Sequence, residues 1–130
     1  MAGIERFASG APWESRFGYC RAVRAGDHVH VAGTTAVDED GVVLGVGDAA
    51  AQAEFVLDRI AAALARAGAS LEQVVLTRMF VTDISRADEI GRVHGARFSD
   101  HPPASSMVQV AALMDPRMLV EIEAVAYVGP

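Results

Sequence analysis

The chain has 130 residues, 52% of them hydrophobic, a net charge of -6, one cysteine, and 11 basic residues that are all arginine. The missing lysine excludes a pyridoxal-phosphate Schiff base, a lysine-dependent aldolase and a Walker A phosphate loop, and the lone Cys20 excludes an internal disulfide, a Cys-x-x-Cys redox pair and a cysteine-based zinc site. An acidic chain with no arginine stripe interleaved with aromatics is not expected to bind nucleic acid, and no apolar run approaches the roughly 18 residues that span a bilayer.

The length fits one domain, residues 1–130. The opening stretch MAGIERFASGAPW has no basic start followed by an apolar run, so a cytoplasmic protein is expected. With 22% charged residues and a mean hydropathy of +0.25, the chain is apolar for a domain that covers its own surface. Part of that surplus is expected to be buried between subunits.

Residues 17–23 (FGYCRAV) and 28–32 (HVHVA) read as two strands of a hairpin turning at Gly26. Residues 42–44 follow a turn signal and read as a short strand, and Asp48 stands where an N-cap belongs. Over residues 49–67, Ala53, Val56, Leu57, Ile60 and Leu64 recur at three- and four-residue spacing, which predicts an amphipathic helix closed by Gly68. Ser70 to Gln73 matches a capping box. Residues 74–82 (VVLTRMFVT) predict a central strand covered on both faces, and Ser85 is placed to cap a second helix over residues 86–98. Residues 105–113 and 118–128 are the last strands, joined by a turn at Asp115-Pro116.

Glu121 and Glu123 lie two residues apart inside an apolar run, hence on one strand face. Two readings stand: a solvated stripe on an edge strand, or a carboxylate at a cavity whose pKa is raised for proton transfer. Arg78 interrupts the apolar central strand, which calls for an anion, either Glu121 or Glu123 or a substrate carboxylate. His28 and His30 share a face but lack an evident third ligand, so no metal site is expected, and His94 reads as a packing or helix-end residue. Ser105 and Ser106 have no nucleophile-elbow glycines around them. Trp13 and Tyr19 sit in an aromatic segment that either fastens the N-terminus or walls a ligand.

Together, GYCRAV (18–23), VAGT (31–34), the helix from 49 to 68, FVTDI (80–84), PASSMVQVAAL (103–113) and VEIEAVA (120–126) resemble the Rid family, also called YjgF or endoribonuclease L-PSP. The resemblance implies a chorismate-mutase-like α+β fold, a mixed sheet with two helices on one face, assembled as a homotrimer with pockets between subunits. It also implies hydrolysis of reactive enamines or imines, such as 2-aminoacrylate, to 2-oxo acids and ammonia, with no metal or cofactor. Glu121 matches the family's water-positioning acid and Tyr19 its pocket tyrosine. Ser105 stands where the family's carboxylate-binding arginine is found, Ala32 replaces a serine before Gly33, and Gly91 aligns with an asparagine. The expected site is therefore Glu121 as the catalytic acid, with Tyr19, Gly33, Gly91, Ser105, Met107, Trp13 and Arg78 around the substrate, Arg78 standing in for the missing clamp. A tautomerase acting on a related small carbonyl compound belongs to the same reading. The alternatives are a non-catalytic trimer that binds a small metabolite or regulates a partner enzyme and, against the acidic charge, a ribonuclease.

Overall fold

The structure, a computed structural model, describes residues 3–130, so the first two residues of the N-terminal stretch lie outside it. The helix predicted from 49 onward forms as α2 (Ala49–Arg66). Its start is fixed by Asp48, whose carboxylate accepts the Ala51 N–H at 3.0 Å. Its end is fixed by Gly68 at φ +83°, which lets the Ala69 N–H reach back to the Leu64 carbonyl (2.8 Å) and the Gly68 N–H to that of Ala65 (3.1 Å). The predicted stripe is the buried one: Ala53, Val56, Leu57, Ile60 and Leu64 are all at 0% exposure.

α2 lies on a six-stranded sheet of order β1-β2-β3-β6-β4-β5. The strands are β1 (Ile4–Phe7), β2 (Ala22–Ala25), β3 (His28–Thr34), β4 (Val74–Val81), β5 (Ala104–Gln109) and β6 (Val120–Tyr127). All pairings are antiparallel except β4 with β5, which are parallel and joined by α3 (Ala87–Phe98). The two-residue hairpin between β2 and β3 turns at Gly26, whose φ of +59° a side chain would resist.

Alternation along the strands divides the sheet into two faces. Val29, Val31, Thr77, Met79, Val81, Val120, Ile122, Ala124 and Ala126 are buried under the helices. Their neighbours Val23, His30, Leu76, Arg78, Phe80, Glu121, Glu123 and Val125 face the other way and are covered by no element of this chain. The expectation that β4 is covered on both faces is therefore overturned for the single chain, because both helices follow the same side of the sheet.

Four local expectations also change. Residues 17–23 do not form one strand: Pro12–Phe17 is a short helix, α1, with Pro12 in its first turn and Gly18 in the left-handed conformation (φ +75°) closing it. The β-forming aromatics Phe17 and Tyr19 gave the pattern of a strand, but the Pro-to-Gly spacing prevails. Residues 42–44 contribute only an isolated bridge, Val37 to Val43. The cap before α3 belongs to Asp83, whose carboxylate accepts the Ser85 N–H at 3.0 Å and starts a 3-10 turn (Ile84–Arg86). β5 and β6 are not neighbours, since β4 separates them.

Candidate active site

Glu121 projects from β6 onto the uncovered face, opposite Phe80 of β4. β6 is an interior strand between β3 and β4, so the reading of Glu121 and Glu123 as an edge-strand stripe does not hold. An irregularity in β3 between Val31 and Thr34 brings Gly33 against the carboxylate. A Cβ on Gly33 would lie 2.7 Å from Glu121 Oε2, so a side chain there would push the carboxylate out of this position. Burial raises the Glu121 pKa, the nearby Arg21 guanidinium partly offsets that, and Glu123 adds to it.

Arg21 follows Tyr19 in the segment between α1 and β2, and its Nη2 donates to the Gly33 carbonyl at 2.8 Å. Its Nε is buried without a hydrogen-bond partner. Burial first and Arg59 second lower its pKa, while Tyr19, Glu14 and Glu121 oppose them. Glu14 itself is buried and accepts from the Ser9 amide (2.9 Å) and hydroxyl, tying α1 to the end of β1. Tyr19 is exposed and lies on this connection, not on the first strand. Trp13 stacks on Phe17 (5.6 Å between centroids) with the Arg16 guanidinium 5.2 Å from its ring, an exposed aromatic ledge one turn before Tyr19.

Ser105 occupies the opposite face. On β5 it pairs with Thr77, and the fully buried Thr77 hydroxyl donates to Ser105 Oγ at 2.8 Å. The same Thr77 oxygen lies 2.8 Å from His94 Nε2 on α3, and the His94 ring packs 4.5 Å from Phe98. Burial lowers the His94 pKa. Met107, two residues on from Ser105, shares its face and packs against the core. Gly91 lies one turn before His94, and a side chain there would meet open space.

Arg78 is not buried: its side chain is 55% exposed and its Nη1 donates to Glu123 Oε1 at 2.6 Å. That pair borders a cavity of about 250 Å³ on the uncovered face, with Cys20, His30, Leu76 and Val125 among its walls. A second cavity of about 530 Å³ lies beside α2 and receives Arg21, Arg59 and Arg66. Neither is lined by Glu121 or Ser105. Among the described residues no group of three or more His, Cys, Asp or Glu side chains is gathered to hold a metal ion, and no helix is long and apolar enough to cross a membrane.

Of the predicted residues, Glu121, Gly33 and Tyr19 lie near Arg21, Ser105 and Met107 share the far face of the sheet with Thr77, Gly91 lies one turn before His94 on α3, and Trp13 and Arg78 stand apart from both groups. Arg21 and Thr77 escaped the sequence reading. Arg21 lies in a segment read as strand, and Thr77 reads as an ordinary β-former until its neighbours in space are known.

Comparison with known proteins gives a consistent picture. The family described as Endoribonuclease L-PSP matches residues 10–128. An uncharacterized protein of Streptomyces coelicolor, SCO2049, is 38% identical over 126 residues, 97% of this chain and 93% of that protein. The 3-aminoacrylate deaminase RutC of Acinetobacter baylyi is 39% identical over 110 residues, 85% of this chain and 86% of that one. Among solved structures, Rv2704 of Mycobacterium tuberculosis, a member of the YjgF/YER057c/UK114 family, is 49% identical. It superposes with a TM-score of 0.88, covering 97% of this chain and 100% of that one.

Proposed function

This chain belongs to the endoribonuclease L-PSP family, the Rid or YjgF proteins, and from that premise we propose that it hydrolyses a small reactive imine or enamine in a pocket built between copies of itself. The observation that carries the reading is the Glu121 carboxylate, held over glycine at Gly33 with its pKa raised by burial, as a proton-transferring group requires.

An imine carbon is already electrophilic. Glu121 takes a proton from water as the water oxygen bonds to that carbon and passes it to the imine nitrogen, which leaves a neutral carbinolamine. Glu121 then takes the hydroxyl proton and returns it to that nitrogen as the C–N bond breaks, so ammonia leaves and a carbonyl compound remains. No protein nucleophile is needed, in keeping with the absence of lysine. Tyr19 and the Trp13 ledge line the substrate. General acid-base catalysis of this kind contributes about 10²- to 10⁴-fold.

Glu121 and Ser105 lie on opposite faces of one sheet, so one chain does not bring both to one substrate. A cyclic homotrimer does so if the uncovered face of one copy meets the β5 and α3 side of the next. The same packing buries Val23, Leu76, Phe80 and Val125, which accounts for the apolar surplus. Sedimentation of the purified protein as a trimer is expected, and a monomer at micromolar concentration contradicts this arrangement. For the chemistry, ammonia release is followed from imines made in situ by an amine or amino acid oxidase. Glu121→Ala is expected to fall to the background without enzyme, and wild type at that same background sinks the hydrolase.

Ser105 in place of a cationic clamp favours one second reading, a trimer that binds a carbonyl metabolite without turning it over. It predicts a ligand-dependent rise in the unfolding midpoint with no product formed.

A further inference from the structure

Ser105 is the outer end of a hydrogen-bond relay that begins on another element. A hydroxyl has one proton, and that of Thr77 is given to Ser105 Oγ at 2.8 Å. The His94 ring, 2.8 Å from the same Thr77 oxygen, then reaches it as a donor through Nε2–H. Thr77 is at 0% exposure, so its hydroxyl has no water to turn toward. Ser105, on the edge strand β5, is exposed, and its own proton is left for a ligand. Each bond in such a chain polarises the next, which strengthens the terminal donor.

We infer that His94, Thr77 and Ser105 form a directed relay presenting one strong neutral donor to the pocket, and that the substrate is an uncharged imine or carbonyl compound rather than a 2-imino acid. The inference rests on the hydrolase reading above. No bond is made or broken along the relay: the Ser105 O–H donates to the imine nitrogen or carbonyl oxygen and makes the adjacent carbon more electrophilic for the water that Glu121 activates. A hydroxyl cannot replace the bidentate charge of a guanidinium for a carboxylate, but it suffices for a single acceptor atom. Ser105 touches the substrate, whereas Thr77 and His94 are positioning residues. Burial lowers the His94 pKa, and the tautomer of the ring is a direct readout of the relay.

The test has two arms. Proton-nitrogen correlation spectra of the His94 ring are expected to show the neutral Nε2–H tautomer; the Nδ1–H form overturns the relay regardless of activity. In the second arm, wild type is compared on the imine formed from benzylamine by a flavin amine oxidase and on the 2-imino acid formed from leucine by an amino acid oxidase. Wild type is expected to prefer the benzylamine-derived imine. Thr77→Val, nearly isosteric, is expected to lower kcat on it about tenfold with KM little changed, and Thr77→Ser to restore it. His94→Gln, which leaves the strand untouched, serves if Thr77→Val does not fold. Ser105→Arg is expected to reverse the preference by about 10-fold or more toward the imino acid. Wild-type kcat in Thr77→Val and His94→Gln, with Glu121→Gln inactive, removes the relay and leaves the hydrolase standing. Loss of both substrates in wild type removes the hydrolase instead.

Discussion

The two faces of the sheet are built by the same strands from alternate residues, yet they obey different rules. On the helix side β6 presents Val120, Ile122, Ala124 and Ala126, all at 2% exposure or less, against α2. On the other side the intervening Glu121, Glu123 and Val125 remain partly open beside Leu76, Arg78 and Phe80. A period of two places a core and a chemical surface on one strand, one residue apart. The helix face secures the fold of the single chain, and the open face is covered by no element of it; in the proposed trimer another copy completes it.

The largest expected effect comes from a core truncation. Ile60→Ala, in the fully buried stripe of α2, is expected to cost about 3 kcal/mol in urea unfolding. Leu76→Ala on the open face is expected to cost the isolated chain under about 1 kcal/mol while weakening self-association in sedimentation. Equal losses of unfolding stability, with association unchanged, break the distinction between the faces.

Gln52 sharpens the same comparison. Buried at 0% exposure on α2, it accepts the Leu119 N–H (2.8 Å) and donates to the carbonyls of Arg117 (2.8 Å) and Gly45 (3.3 Å). Gln52→Leu strands three backbone groups and is expected to cost about 2 kcal/mol. Glu121→Gln is expected to do the reverse. A carboxyl whose folded pKa lies above the unfolded value holds its proton more tightly when folded, so stability falls as pH rises from 4.5 through the raised value. Glu121→Gln should therefore raise the melting point by about 1–3 °C at pH 7, with the gain fading below pH 4.5. A gain that persists undiminished at pH 3.5 assigns the effect to packing instead. The smallest effect belongs to Arg78 and Glu123, which are 55% and 32% exposed: Glu123→Gln is expected to change unfolding stability by less than about 0.5 kcal/mol.

These contrasts also show what the sequence could carry. The stripe of α2, its Asp48 cap and Gly68 stop, the Gly26 turn and β4 as a strand in the sheet's interior are local patterns, and all were legible. So was the pairing of Arg78 with a carboxylate, as one of the readings left open. The placement of β6 between β3 and β4 was not, because strand order depends on contacts between segments distant in the chain. The same limit hid the site's partition. Glu121 and Ser105 are both nameable from motifs, but that they face opposite ways follows only from register with Phe80 and Thr77. Arg21 was missed because a helix of six residues interrupts what looks like a strand.

The central claim is that catalysis needs Glu121 from one copy and the Ser105 side from another. Its most direct measurement is complementation: Glu121→Gln and Ser105→Phe chains, each expected to be inactive alone, are unfolded together, refolded as mixed oligomers and assayed for ammonia release. If each site draws on two chains, random mixing restores about a quarter of the sites, and activity returns toward a quarter of wild type. Mixed oligomers that form but stay as inactive as their parents would place the whole site within one chain and contradict the account.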